Sequence, residues 1–127
     1  MTFKQKKKLL KAQQGELDAV ILYKKLASIV ENENSKNKLL KIASDEGKHA
    51  SILKEYTKEI LKPKPVKAYF VFLLYKVLGH NYVCTMLEKG ELKSIEKYKS
   101  LVEDFPNIQI IIKDEKIHSE IVKGIKI

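Results

Sequence analysis

One five-residue pattern occurs twice in this chain: Asp45-Glu46-Gly47-Lys48-His49 and Asp114-Glu115-Lys116-Ile117-His118. Both copies read Asp-Glu-x-x-His. In a helix, residues three apart share a face with Cβ atoms about 5–6 Å apart. Each copy therefore aims one carboxylate and one imidazole at a common point. Glu-x-x-His from two helices, plus one Glu from each of two others, is the way a four-helix bundle holds two metal ions. With twelve glutamates and three histidines in 127 residues, chance pairs two of the three histidines with a glutamate three positions earlier only a few per cent of the time. The pattern thus demands two further helices, each with one inward Glu.

The chain supplies both. A first helix is expected from about Phe3 to Val30. Its apolar stripe Leu9, Ala12, Val20, Tyr23, Ala27 and Val30 runs through Glu16. A carboxylate in an apolar stripe is expensive unless something compensates its burial. Asn32 to Ser35 interrupts the pattern, with Ser35 the expected cap. The second helix then runs to about Leu61 on Leu39, Ile42, Glu46, His49, Leu53, Tyr56 and Ile60. Pro63 and Pro65 stop it, since neither can donate a helical hydrogen bond. A short apolar helix, Val66 to Leu78, follows. With its flanks it reaches about 34 Å, enough to carry the chain along the bundle. Its Phe70, Phe72, Leu74 and Tyr75 are the expected outer face and a possible homodimer contact. A fourth helix, about His80 to Glu103, carries Cys84, Leu87, Glu91, Ile95, Tyr98 and Val102 inward. A last helix from Pro106 to about Lys123 carries Ile108, Ile111, Ile112, Glu115, His118, Ile121 and Val122.

The two halves repeat. Gly15-Glu16 with Tyr23 seven residues on matches Gly90-Glu91 with Tyr98 seven residues on, and each is followed by its Asp-Glu-x-x-His. The expected fold is all-α: two pseudo-symmetric helix hairpins joined by a helical crossover into a four-helix bundle, with residues 1–127 as one domain. The expected metal ligands are Glu16, Glu46, His49, Glu91, Glu115 and His118. Four carboxylates balance two divalent ions, and mixed carboxylate and imidazole ligation suits iron or manganese, with zinc also compatible. Tyr23 and Tyr98 stand either as core residues or as donors to the ligands. His80 reads as a surface or capping residue, Cys84 as core and Glu88 as solvated.

Charge and cysteine content narrow the function. The net charge is +9, yet every basic residue is Lys. Arg is the residue favoured for bidentate base and phosphate contacts, and the lysines are scattered over all helices, so nucleic acid is not an expected partner. A weak preference for a membrane surface fits better. One cysteine excludes an internal disulfide and a four-cysteine metal site within the chain, which suits a reducing cytoplasm.

The motifs Gly15-Glu16…Tyr23, Asp45-Glu46…His49, Tyr69-Phe70…Leu73-Leu74, Leu87-Glu88-Lys89-Gly90-Glu91 and Asp114-Glu115…His118 resemble the rubrerythrin branch of the ferritin-like superfamily. They are most similar to the ferritin-like domain found ahead of vacuolar-iron-transporter-type membrane domains. The resemblance implies a ferritin-like bundle with a di-iron carboxylate site on the six residues, Glu46 and Glu115 bridging. It implies oxidation of Fe(II) by O₂ or peroxide, peroxide reduction with an external electron donor, or delivery of Fe(II) or Mn(II) to a membrane transporter. Two departures stand out. Rubrerythrins carry a further Glu where this chain has Ser94, and complete ones add a four-cysteine domain for electron delivery.

Overall fold

The computed structural model describes all 127 residues as five helices: α1 Phe3–Ile29, α2 Glu33–Thr57, α3 Val66–Leu78, α4 His80–Lys99 and α5 Ile108–Gly124. There are no strands. α1 packs along α2, α4 along α5, and α2 meets α5, while α3 crosses against α1 and α4. This is the expected ferritin-like arrangement of two hairpins and a crossover. The single cysteine, Cys84, is buried and free. No helix is long and apolar enough to cross a membrane.

Local signals explain most helix ends. Thr2 and Gln5 exchange side-chain and backbone hydrogen bonds of 2.9 and 3.0 Å, a capping box that starts α1. Asn32, not Ser35, caps α2: its Oδ1 accepts the Ser35 N–H at 2.9 Å, so Ser35 lies inside the first turn. α2 also stops at Thr57 rather than Leu61, because the following backbone finds partners on α1. Thr57 Oγ1 donates to Gln13 Oε1 at 2.6 Å, and Gln13 Nε2 donates to the Glu59 carbonyl at 2.9 Å. Gln14 Nε2 reaches the Lys62 carbonyl at 2.8 Å, and the Lys64 N–H donates to Asp18 at 2.7 Å. Lys58 turns the chain in the left-handed region at φ 60°, and Ile60 is left 82% exposed instead of inward.

α4 ends at Lys99 rather than Glu103. The Leu101 N–H bonds to the Tyr98 carbonyl at 2.9 Å, and the tightened turn buries Leu101 and Phe105 in place of Val102. Phe105 packs edge-on to Tyr56, with ring centres 4.9 Å apart. The chain therefore turns through Pro106, and α5 begins two residues later. In α3, Leu74 and Tyr75 pack on the core, not outward. The exposed apolar residues there are Val66, Tyr69, Phe70, Leu73, Val77 and Leu78.

The core is two apolar clusters. Tyr23, Leu26, Leu39, Ile42, Ala43, Leu87 and Val122 belong to one, joined by Val71 of the crossover. Leu9, Leu53, Tyr98, Leu101, Phe105, Ile108 and Ile111 form the other. On each long helix the polar site residues fall between a residue of one cluster and a residue of the other. Glu16 lies between Leu9 and Tyr23, and Glu46 and His49 between Ala43 and Leu53. Glu91 lies between Leu87 and Tyr98, and Glu115 and His118 between Ile111 and Val122. Sequence spacing thus places one polar layer mid-bundle, sealed by hydrocarbon at both ends.

Candidate metal centre

The structure brings all six sequence-expected residues into that layer. Glu16, Glu46, Glu91, Glu115, His49 and His118 are each at most 4% exposed. Their ligand atoms form two overlapping sets. Glu16, Glu46, His49 and Glu115 each offer an atom within 4.8 Å of the others, and so do Glu46, Glu91, Glu115 and His118. Glu46 and Glu115 belong to both sets.

The distances show why those two are shared. Glu46 Oε1 lies 3.2 Å from Nδ1 of both His49 and His118. Glu115 Oε1 lies 3.3 Å from His49 Nδ1 and 3.4 Å from His118 Nδ1. Glu16 approaches only His49, at 3.5 Å, and Glu91 only His118, at 3.7 Å. The rings stack with centres 5.9 Å apart. Two terminal pairs therefore flank two central carboxylates, the pseudo-two-fold pattern expected from the repeat.

Buried polar atoms are normally hydrogen-bonded, and each exception calls for an explanation. Here the exceptions are Glu16 Oε2, Glu46 Oε1, His49 Nδ1, Glu91 Oε2, Glu115 Oε1 and His118 Nδ1. Every one of the six residues contributes one such atom. The close Nδ1–carboxylate approaches do not have hydrogen-bond geometry. Six orphaned atoms, four carboxyl oxygens and two imidazole nitrogens, make a ligand set that two divalent cations would complete.

The remaining atoms of the same residues are tied down, and the ties cross between halves. His49 Nε2 lies 2.8 Å from Asp114 Oδ2, and His118 Nε2 lies 2.9 Å from Asp45 Oδ2. A carboxylate on the outer nitrogen fixes the ring so that Nδ1 faces the centre. Tyr23 Oη donates to Glu91 at 2.7 Å, and Tyr98 Oη donates to Glu16 at 3.0 Å. Both tyrosines are thus core residues that also hold the terminal glutamates. The two aspartates were visible in the repeat as part of Asp-Glu-x-x-His, but their partners lie in the opposite half of the chain.

The electrostatics favour cations. Burial, then the neighbouring carboxylates, push Glu16 well above the ordinary range. Burial raises Glu46 to about 7 and Glu91 to about 8. Glu115 is held low: burial opposes this, but both imidazoles outweigh it. Burial would lower His118, yet contact with Glu115, Glu46 and Glu91 lifts it to about 12, and His49 shifts in the same direction. Among protein groups alone, protons must do the work of charge balance, which a metal would take over.

His80, Cys84 and Glu88 stay outside the layer. His80 lies 2.8 Å from both the Tyr75 hydroxyl and the Ile125 carbonyl, fastening the crossover and the C-terminal end to α4. It is neither a cap nor a free surface residue. Glu88 pairs with Lys126 at 3.3 Å. Ser94 lines a groove beside the site.

A helical bundle with a doubled carboxylate–histidine layer fits a di-iron carboxylate centre. The family comparison agrees: the rubrerythrin profile matches residues 7–126. The chain belongs to the rubrerythrin family. Searches of curated proteins and of solved structures gave no significant match.

Proposed function

We propose that this chain binds two iron ions in the polar layer and oxidises Fe(II) with O₂ or peroxide as acceptor, in iron homeostasis or oxidative-stress defence. The observation that carries the reading is the set of six orphaned buried atoms, one from each predicted ligand. Glu16 and His49 would hold one ion, Glu91 and His118 the other, with Glu46 and Glu115 between them. When bound, two ferrous ions would supply the two electrons, and solvent the two protons, that take O₂ to hydrogen peroxide or hydrogen peroxide to two waters.

The protein's own groups do the rest. Asp114 and Asp45 hold the outer Nε2 atoms, so each imidazole is left with Nδ1 to offer to an ion. Tyr23 and Tyr98 hold one oxygen of each terminal glutamate and leave the other free to ligate. The apolar clusters close both ends of the layer, and the burial of its groups strengthens every charge interaction within it. Return of the centre to the ferrous state during peroxide reduction would need an external electron donor.

The test is stopped-flow oxidation of Fe(II) added to metal-free protein under air. A fast, oxygen-dependent absorbance rise is expected, with a stoichiometry of two irons per chain and its loss in Glu46→Ala. Oxidation no faster than Fe(II) in buffer would overturn the reading.

A further inference from the structure

No Cα of α1 comes within 8 Å of any in α4. The gap between them is a groove of about 640 Å³ whose floor is the carboxylate layer. That volume is about twenty times the roughly 30 Å³ share of one water. It far exceeds what a two-atom oxidant needs, and it lies within the range of sites for small organic ligands.

The groove differs along its length. Tyr98 meets Glu16 and Tyr23 meets Glu91, so α1 and α4 run antiparallel. Lys8 and Lys11 of α1 therefore lie at the same end as Lys93 and Lys97 of α4. All four are exposed, and no acidic residue lines the groove apart from the four glutamates of the layer. The other end is mainly apolar: Leu22 and Met86 form its sides and Val71 closes it, with the exposed Lys67 one turn before Val71 on α3. From Lys11 to Leu22 the helix advances about 16 Å.

Gly15 and Gly90 stand at matching points of the walls. A Cβ at either would meet nothing within 4 Å. Neither glycine is required by close packing, and glycine is a poor helix former. What both positions provide is room beside the glutamates.

We propose that this groove binds an anionic amphiphile of about twelve carbons, a straight-chain carboxylate, lying across the polar layer. The carboxylate sits among the four lysines, and the tail runs past Gly15 and Gly90 to Val71. An extended chain with C–C bonds near 1.5 Å advances roughly 1.3 Å per carbon, so about twelve carbons span the distance. The four lysines and the apolar wall are not among the expected metal ligands. Binding is read on the full chain without added metal, so its failure and that of the iron reading are distinguishable.

The probe is dodecanoate, titrated calorimetrically into the full chain below its micelle concentration. Dodecyltrimethylammonium serves as the control of opposite charge and hexanoate as the short control. Saturable binding at one per chain is expected for dodecanoate alone. Gly90→Leu, which fills the groove, should weaken it at least tenfold with an unchanged helical spectrum. The exposed pair Lys93→Glu/Lys97→Glu should weaken it at least fivefold and decides the matter should Gly90→Leu fail to fold. No saturation up to about 1 mM, a binding free energy near −4 kcal/mol, would overturn the proposal. So would equal affinity for the cationic amphiphile. A dimer that Gly90→Leu dissociates, with no dodecanoate bound by the wild type, would show a second copy in the groove and overturn it equally.

Discussion

The crossed aspartates offer the sharpest test of how the site is held. His49 is wholly buried, and its Nε2 lies 2.8 Å from Asp114 Oδ2. Asp114→Asn keeps the shape and leaves an amide oxygen able to accept the same hydrogen bond, but removes the charge. A hydrogen bond to a charged group contributes about 1.5–3 kcal/mol and a neutral one about 0.5–1.5 kcal/mol. The expected loss is therefore about 1–1.5 kcal/mol, or roughly 5–15-fold in affinity. Asp114→Ala removes the acceptor altogether and should cost roughly 10–100-fold, the range for partners of metal-bound histidine. Because Asp114 Oδ2 is paired with His49 and not with His118, one of two ions should weaken and the other stay near wild type. Asp45→Asn should weaken the opposite one. Anaerobic titration with Fe(II) or Co(II), fitted to two sites, reads this directly. Equal weakening of both ions by each variant, or no change in either, would refute the assignment of one aspartate to one histidine.

Further outcomes follow from the same geometry. Tyr98→Phe strips Glu16 of its 3.0 Å donor and should cost about 1–2 kcal/mol, seen as a fall in Tm of roughly 4–8 °C for a chain of this size. Gly90→Ala adds a Cβ that meets nothing within 4 Å in the interior of α4. It should stabilise by about 0.5–1 kcal/mol, measured by urea unfolding. Metal should stabilise more at pH 8.5 than at pH 6. Glu46 and Glu91 titrate in the fold near 7 and 8, raised above their unfolded values. Their contribution without metal is fully present below about pH 4.3 and lost as pH rises through 7 to 8. The raised histidines lose theirs from about pH 6.5 upward, while the ligand set becomes free for a cation over the same interval. The difference in Tm with and without Mn(II), followed from pH 6 to 8.5, should grow, and a shrinking difference would contradict the charge-balance argument.

How much of this was legible in the sequence differs from residue to residue. Glu16 and Glu91 announced themselves because a carboxylate in an apolar stripe must be compensated, and the doubled Asp-Glu-x-x-His placed the other four. Periodicity carries that information, since helical spacing alone decides which side chains share a face. The pairings across halves, Asp45 with His118 and Tyr23 with Glu91, depend on how two helices face each other, which no single-helix pattern encodes. Helix ends were less legible for a similar reason. Ile60 has the right spacing to be inward, yet Gln13, Gln14 and Asp18 of α1 capture the backbone after Thr57. Lys58 then adopts a left-handed conformation that its residue type does not advertise. Nor does the repeat reveal that α1 and α4 stand apart, because Gly15 and Gly90 are equally compatible with close helix packing.

Occupancy of the six-residue layer by two metal ions can be counted. Elemental analysis of protein purified from iron-fed cells, alongside Glu115→Ala, tests it most directly. Two irons per chain are expected, with marked loss in the variant because Glu115 faces both histidines. Well below one metal per chain, with no uptake on anaerobic addition of Fe(II), would contradict the account.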